Sequence, residues 1–215
     1  MSNLKAQFIT LEGVEGAGKS TQKDALCRLL DANGVPYIET REPGGTPYAE
    51  SIRELLLSHS DDAPSAKTEL LLMFAARAQH LETRILPALE AGTWVICDRF
   101  TDATYAYQGG GRELSIDWIE TLETLFQGAK RPDLTLIFDV PVAIGLGRAG
   151  RRGALDRIES EDLAFFERVR AMYQQIASRE TDRVVMLDAS SDVESVTETM
   201  ISLLMTRWNL SCRPG

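Results

Sequence analysis

Short apolar runs alternate with longer amphipathic stretches from one end of this chain to the other. The apolar runs are rich in β-prone residues and predict strands at residues 8–11, 37–40, 94–97, 134–138 and 184–187. Apolar positions three or four residues apart predict helices at residues 20–32, 46–58, 66–90, 115–127, 141–149, 161–179 and 192–208. Strands separated by helices favour right-handed crossovers, so we expect an α/β fold: a three-layer, doubly wound, five-stranded parallel sheet.

The stretch after the first predicted strand carries the strongest chemical signal. Residues 13–20 have the sequence GVEGAGKS, two glycines bracketing four residues and followed by Lys and Ser, which is the pattern of a phosphate-binding loop. Backbone N–H groups can converge on phosphates only where no side chain blocks a tightly wound loop. Lys19 adds a mobile positive charge, Ser20 can place its hydroxyl on Mg²⁺, and the following helix directs its positive end at the same anion.

A glycine-rich turn before a helix would look similar, but here strand, loop and helix follow in the required order. The loop therefore predicts binding of a nucleoside triphosphate. The expected binding residues are Gly13, Val14, Glu15, Gly16, Ala17, Gly18, Lys19, Ser20 and Thr21.

Length and charge narrow the class of protein. A chain of 215 residues fits one domain better than two, and its net charge of −9 would repel a nucleic acid backbone. The basic residues are 18 Arg and five Lys, a ratio that favours bidentate recognition of phosphate or carboxylate. With no signal segment and no apolar run of about 18 residues, we expect a cytoplasmic protein without a membrane or nucleic acid polymer as partner.

Two charged pairs follow predicted strands. Asp98 and Arg99 close the third strand, where an acidic residue could orient Mg²⁺ opposite the phosphate-binding loop, or where the pair could simply cap the strand. Arg41 and Glu42 precede a Pro-Gly-Gly turn after the second strand. Ligands bind beyond the carboxyl ends of such strands, so we expect both pairs to face a site.

The predicted helix 66–90 carries an anomalous charge. Phe74 and Arg77 lie within a stripe of apolar residues at spacings of three and four. Such a stripe is ordinarily core, but a buried guanidinium is costly unless it is paired or bound to a ligand. An aromatic ring and an arginine on one helix face could stack on a flat base and hydrogen-bond its edge. Thr104, Tyr107 and Gln108 add polar groups on one side of a further helix.

Arginines and glycines cluster between residues 147 and 157. Arg148, Arg151, Arg152 and Arg157 are interspersed with three glycines. A solvated face paired with neighbouring acidic residues would explain them in a generic protein. Beside a phosphate-binding loop, we instead expect a mobile lid near residues 147–160 on a single domain of residues 1–215, which brings arginines to the transferring phosphoryl group.

Taken together, several motifs resemble the bacterial thymidylate kinase family. They are the loop, the turn REPGG at 41–45, FAAR at 74–77, Asp98-Arg99, YQGGG at 107–111 and GALDRIE at 153–159. The motifs occur in family order and spacing and cover nearly the whole chain. The resemblance implies a P-loop nucleoside monophosphate kinase that transfers the γ-phosphoryl group of ATP to dTMP, with Mg²⁺.

The resemblance also implies roles for individual residues. Glu15 contacts the sugar 3′-hydroxyl, Arg99 and Arg41 hold the acceptor phosphate, Phe74 stacks on thymine, and Arg77 bonds a base carbonyl. Thr104 and Gln108 complete the base pocket, and Tyr107 crowds the place of a 2′-hydroxyl. The implied catalytic residues are Lys19, Asp98, Arg99, Arg148, Arg151 and Arg152, and the implied Mg²⁺ residues are Ser20 and Asp98.

With Gly16 in the loop, the chain resembles the family members that lack a loop arginine and carry basic residues in the lid. Among the lid arginines, Arg152 is the first choice for the catalytic residue. Two other classes share parts of this pattern. Another nucleoside monophosphate or small-molecule kinase would share loop and lid but need a different base pocket. A non-enzymatic GTP switch would carry Asn-Lys-x-Asp, which is absent. Apolar stripes left over on the helices would permit a homodimer, which we expect.

Overall fold

The computed structural model describes residues 5–60, 62–150 and 156–211. Five parallel strands form one sheet in the order β2-β3-β1-β4-β5. The strands are β1 Phe8–Glu12, β2 Tyr37–Arg41, β3 Trp94–Asp98, β4 Leu134–Asp139 and β5 Val184–Asp188. The predicted α/β fold with a doubly wound parallel sheet is confirmed.

Helices connect the strands and cover both faces of the sheet. They are α1 Lys19–Ala32, α2 Pro47–Leu57, α3 Ala66–His80, α4 Leu86–Glu90, α5 Thr101–Thr104, α6 Ile116–Phe126, α7 Val142–Ala149, α8 Leu163–Arg179 and α9 Val193–Trp208. A π-helical segment, Leu81–Ile85, joins α3 to α4, so the predicted helix 66–90 forms as one continuous helical stretch. A second π-helical segment, Tyr105–Gly111, continues α5.

Each strand runs one residue further than its apolar run predicts, and each added residue is polar. They are Glu12, Arg41, Asp98, Asp139 and Asp188. Backbone pairing continues regardless of side-chain polarity, as in the register that pairs Asp98 with Leu11 and Arg41. The carboxyl edge of the sheet is therefore lined with charged groups, above a core in which β1 is buried at every residue.

The connection β1 to β2 runs past β3, and the connection β3 to β4 runs past β1. The chain therefore leaves β1 in one direction and reaches β4 in the other, which opens a crevice beyond the carboxyl end of β1. The phosphate-binding loop lies at that point. No helix in the part of the chain described here is both long and apolar enough to cross a bilayer.

Candidate active site

The loop after β1 is shaped by glycines and packs closely on α7. Gly13, Gly16 and Gly18 have positive φ angles of 132°, 71° and 89°, which glycine adopts without steric cost. A Cβ atom on Gly16 would lie 1.9 Å from the carbonyl oxygen of Gly145. Residue 16 therefore has no room for a side chain, which gives a physical reason for the absence of a loop arginine.

Lys19 begins α1 and is held by the loop itself. Its Nζ donates to the carbonyl oxygens of Gly13 and Val14, at 3.2 and 3.4 Å. Burial, followed by the nearby charge of Arg99, lowers the pKa of the Lys19 ammonium. Ser20 and Thr21 in the same first turn are exposed. Gly13 and Val14 lie beneath the loop surface and contribute these carbonyls.

Two adjoining cavities occupy the crevice. The loop cavity is lined by Glu15, Gly16, Ala17, Gly18, Lys19, Ser20, Thr21, Arg53, Asp98, Arg99, Arg148, Asp156 and Glu159. The deep cavity is lined by Glu15, Glu42, Pro43, Arg53, Leu57, Met73, Arg77, Arg99, Phe100, Ala103, Thr104, Tyr107, Gln108, Asp156 and Ile158. Four charged residues, Glu15, Arg53, Arg99 and Asp156, line both cavities and mark their junction.

Arg77 is the polar anchor of the deep cavity. Its Nε donates to Glu42 at 2.8 Å and one Nη donates to Thr104 at 2.9 Å. Glu42 also accepts from Nδ1 of His80 at 2.9 Å. The other nitrogen, Nη1, is buried without a hydrogen-bond partner among the described residues. A buried donor left unpaired is costly. Arg77 therefore forms an ion pair with Glu42, as its burial requires. Arg77 also lines the deep cavity, and its Nη1 donor is still available for a ligand.

Arg99 is fixed at the junction of the cavities. It follows β3 with a positive φ of 69°, which is uncommon outside glycine. Its guanidinium donates to Glu15 at 2.8 Å and to the Tyr173 hydroxyl at 3.2 Å, and it lies over the Tyr107 ring. Tyr107 donates to Glu15 at 2.8 Å. Burial lowers the pKa of Arg99, but Tyr107 and Glu15 outweigh it and hold the pKa well above its usual range.

A buried carboxyl lies beneath this group. Glu12 is fully buried at the end of β1 and accepts from Phe100 N–H and the Tyr173 hydroxyl, each at 2.7 Å. Burial, reinforced by the charge of Asp102, raises the pKa of Glu12 to about 8. Tyr173 therefore bridges Glu12 and Arg99. Sequence reasoning missed Tyr173 because it looks like an ordinary member of an amphipathic helix, and missed Glu12 because its charge interrupts the apolar pattern at the end of β1.

Asp98 ends β3 at the floor of the loop cavity. Its Oδ1 atom is buried and accepts no hydrogen bond from the described residues. Such an acceptor close to Lys19 and Ser20 has the chemistry of a cation ligand or a ligand to a metal-bound water. No group of three or more His, Cys, Asp or Glu suited to a metal gathers anywhere in the described ranges. A cation here would depend on one carboxylate, a hydroxyl and phosphate oxygens, as Mg²⁺ often does.

The structure places two predicted residues away from the cavities. Arg41 pairs with Glu50 at 2.9 Å on a separate, exposed surface, and Arg53 of α2 lines both cavities instead. Phe74 does not line the deep cavity in the described structure; its ring lies against the Arg77 guanidinium, whose Cζ is 4.9 Å from the ring centre. Met73 and Phe100 are among the apolar residues that line this cavity.

The other expected residues divide between the cavities and the lid. Thr104, Tyr107 and Gln108 line the deep cavity, and Glu15 lines both. Arg148 lines the loop cavity and donates to the Ala189 carbonyl at 3.2 Å. Arg151 and Arg152 lie outside the described residues. Arg157 is occupied elsewhere, because it donates to Glu69 at 2.6 Å and to the Leu56 carbonyl at 2.8 Å.

The site consists of a β-strand, a glycine-bearing phosphate loop and a helix in sequence, with a second polar cavity at the same edge of the sheet. This arrangement is that of a P-loop nucleoside monophosphate kinase. Residues 11–200 match the family model described as thymidylate kinase. A thymidylate kinase of Pseudomonas putida strain GB-1 is 59% identical over 94% of this chain and 96% of its own length. That of Pseudomonas entomophila is 58% identical over 94% and 96%.

A solved thymidylate kinase from Ehrlichia chaffeensis has a similar structure, with a TM-score of 0.77 and 34% identity over 94% of this chain and 99% of that one. The chain belongs to the thymidylate kinase family. Its activity is therefore ATP-dependent phosphorylation of dTMP, and the alternatives of a different small-molecule kinase or a nucleotide switch are not supported.

Proposed function

We propose that dTMP binds in the deep cavity and the ATP phosphates bind in the loop cavity. Phosphoryl transfer then takes place at their junction, beside Glu15, Arg53 and Arg99. The observation that carries this assignment is that Arg77 lines the deep cavity and its buried Nη1 atom has no hydrogen-bond partner among the described residues. A carbonyl acceptor on a bound base would satisfy that donor.

The base is selected at the inner end of the deep cavity. Arg77 donates to the C4 carbonyl of thymine, and Thr104 and Gln108 complete the polar edge. Met73 and Phe100 contact the base with apolar groups. Phe74 supports Arg77 by stacking on its guanidinium in the free protein, and its stacking on the base itself stays a prediction.

The sugar and acceptor phosphate lie at the junction. Tyr107 and Glu15 are hydrogen-bonded to each other and face the sugar, where Glu15 accepts from the 3′-hydroxyl. Arg99, held by Glu15 and Tyr173, binds the acceptor phosphate. We assign the second phosphate contact to Arg53 rather than Arg41, because Arg53 lines both cavities and Arg41 lies outside them.

The reaction needs positioning and charge neutralisation more than acid–base chemistry. The acceptor is already an anionic phosphate, so no general base has to remove a proton from it. Lys19 and Arg99 hold the two polyanions in line. Arg148, Arg151 and Arg152, with Arg152 foremost, supply the remaining positive charge from the expected lid.

Ser20 and Asp98 fit the Mg²⁺ that phosphoryl transfer from ATP generally requires. Both line the loop cavity, and Asp98 has a buried oxygen that accepts no hydrogen bond from the described part of the chain. When bound, the cation neutralises charge on the phosphates. The two substrates are small cytoplasmic nucleotides, and we propose the cytoplasm as the location of the protein.

We also propose that the protein is a homodimer, joined through an apolar face formed by α2, α3 and α6. Large side chains exposed there are Leu55, Leu71, Trp118, Leu125 and Phe126. Large apolar side chains exposed on neighbouring helices favour a self-complementary interface with a second copy. Trp118→Glu should convert the dimer to a monomer in sedimentation velocity, whereas Val193→Glu, at an exposed apolar residue of α9, should leave it dimeric.

An acceptor panel tests the proposed site directly. Purified protein is incubated with ATP, Mg²⁺ and each of dTMP, dUMP, dCMP, dAMP and dGMP, and ADP release is measured. dTMP should have the highest kcat/KM, followed by dUMP, which has the same polar edge. Equal turnover of dCMP would show that Arg77 does not select the base.

A further inference from the structure

Gln108 has a fixed amide orientation. Its side chain is 1% exposed, and its Nε2 donates to Glu69 Oε1 at 2.8 Å. An ionised carboxylate has only acceptor atoms, so the NH₂ side of the amide must face Glu69. Gln108 lines the deep cavity, and with its NH₂ group turned to Glu69 its Oε1 atom is the part of the amide that can serve a bound ligand, as an acceptor.

Glu69 is itself held in its ionised form. It lies in the first turn of α3, is 1% exposed, and accepts from Arg112 at 3.2 and 3.1 Å and from Arg157 at 2.6 Å. Although burial acts to raise its pKa, hydrogen bonds from Arg112, Gln108 and Arg157 lower the pKa of Glu69 below its ordinary value. Two guanidinium groups thus keep this carboxylate acceptor-only.

The deep cavity consequently presents two polar groups of opposite sense. Arg77 offers a donor, Nη1, and Gln108 offers an acceptor, Oε1. Arg77 also bonds Thr104, which precedes Gln108 by four residues in the same helical stretch. Thymine and uracil carry the complementary pattern, a carbonyl acceptor at C4 beside an N3–H donor. Cytosine carries the reverse, an amino donor at C4 beside an N3 acceptor.

We propose that Glu69 is a positioning residue for base selection, which fixes the Gln108 amide so that the cavity accepts the imide edge of thymine and rejects the edge of cytosine. This inference rests on the proposed binding of dTMP in the deep cavity. Glu69 acts through Gln108 and does not contact the nucleotide. A neutral amide at residue 69 could face Gln108 with either its oxygen or its nitrogen. Gln108 would then be free to turn its NH₂ group toward the cavity, where it suits cytosine.

The test compares Glu69→Gln with the wild type, using kcat/KM for dTMP, dUMP and dCMP. The ratio of kcat/KM for dTMP to that for dCMP should fall at least about tenfold. In the wild type, bound cytosine leaves the Gln108 acceptor unpaired, and this cost rejects dCMP; an amide that can turn avoids the cost. The ratio of dTMP to dUMP should stay constant, because these bases share the same imide edge. Arg112→Gln is the matched control. It removes a partner of Glu69 but keeps the Glu69 carboxylate as the acceptor for the Gln108 amide, so its dTMP to dCMP ratio should match the wild type.

Glu69→Asp, which keeps an acceptor-only group, should retain more discrimination than Glu69→Gln. If Glu69→Gln does not fold, Glu69→Gln combined with Arg157→Gln removes the charge imbalance and should show the same fall in ratio. A folded variant that loses activity equally on dTMP and dCMP would overturn the inference and leave Glu69 with a structural role. A wild type without preference for dTMP over dCMP would instead overturn the proposed base site.

Discussion

The two ends of the crevice are built on different physical principles. In the deep cavity, Glu42, Arg77, Thr104 and Gln108 are each 5% exposed or less. Arg77 is hydrogen-bonded to Glu42 and Thr104, and Gln108 is hydrogen-bonded to Glu69. In the loop cavity, Gly18 and Ser20 are exposed. Among the described residues, Lys19 donates only to loop carbonyls and Oδ1 of Asp98 accepts no hydrogen bond.

The difference follows from what each end must distinguish. Bases of similar size differ in a few donors and acceptors, and a rigid buried site rejects the wrong pattern because its own groups would remain unpaired. Phosphates are bound by charge and by backbone N–H groups, which a flexible glycine loop can adjust around the anion. The structure thus supports a preformed base end and a phosphate end that its ligand completes.

Lys19→Ala should break the phosphate end alone and produce the largest effect. We expect a loss of about 10³-fold or more in kcat, because the charge at the transferring phosphoryl group is removed. Thermal unfolding should stay close to wild type, since the hydrogen bonds of Lys19 within the described residues are two bonds to loop carbonyls. A variant that keeps its activity would mean that this loop does not bind the ATP phosphates.

Arg152→Ala tests whether the expected lid completes the phosphate end. Removing a transition-state arginine costs roughly 10³–10⁵ in rate, and we expect the lower end of that range because Arg148 and Arg151 remain. The kcat should fall far more than the affinity for ATP, measured by steady-state kinetics and equilibrium binding. If the alanine variants of all three arginines keep a normal kcat, these residues belong to a solvated surface and not to the catalytic site.

Arg77→Ala tests the base end. We expect a loss of about 10²-fold in kcat/KM for dTMP and a narrower preference over dCMP, the consequence of removing a charged donor. Phe74→Ala, which removes the ring beneath the guanidinium, should weaken both nucleotides more evenly. Both variants are assayed well below their unfolding temperatures, because Arg77→Ala also leaves Glu42 without its ion pair. If Arg77→Ala still discriminates between dTMP and dCMP as the wild type does, Arg77 serves only in its structural ion pair with Glu42.

Glu12→Gln gives the smallest effect and concerns stability rather than binding. The folded-state pKa of Glu12 is about 8, above its ordinary value of 4.5, so folding favours the protonated carboxyl. That stabilisation is complete below about pH 4.5 and is lost as the pH rises through 8. The Tm of wild type minus that of Glu12→Gln should therefore fall between pH 5 and 8 and level off above 9. A difference independent of pH would mean that Glu12 is ionised throughout.

Sequence patterns predicted the framework of the molecule well because the framework depends on local chemistry. The order of strands and helices follows from apolar spacing, and the loop follows from glycines that the structure shows at positive φ. The polar residues ending each strand were harder to assign, because a charged side chain interrupts the apolar pattern although the backbone ladder continues through it.

The residues that sequence reasoning missed depend on tertiary packing. Arg53, Glu69 and Tyr173 have no motif, and each reaches the site only because its helix packs against another element. The glycines at 109–111 entered the sequence analysis only as part of the motif YQGGG, without a structural role. The structure shows that a Cβ on Gly111 would lie 2.4 Å from the Phe165 ring, so this segment needs glycine to approach α8.

Hydrogen exchange measured by mass spectrometry tests the contrast between the two ends most directly. In the free protein, Ala66–His80 and Tyr105–Gly111 should already exchange slowly and change little when dTMP is added. Residues 13–21 should exchange faster in the free protein and gain protection when the non-hydrolysable ATP analogue AMP-PNP and Mg²⁺ are added. Rapid exchange of residues 105–111 that slows only with dTMP would contradict a preformed base end.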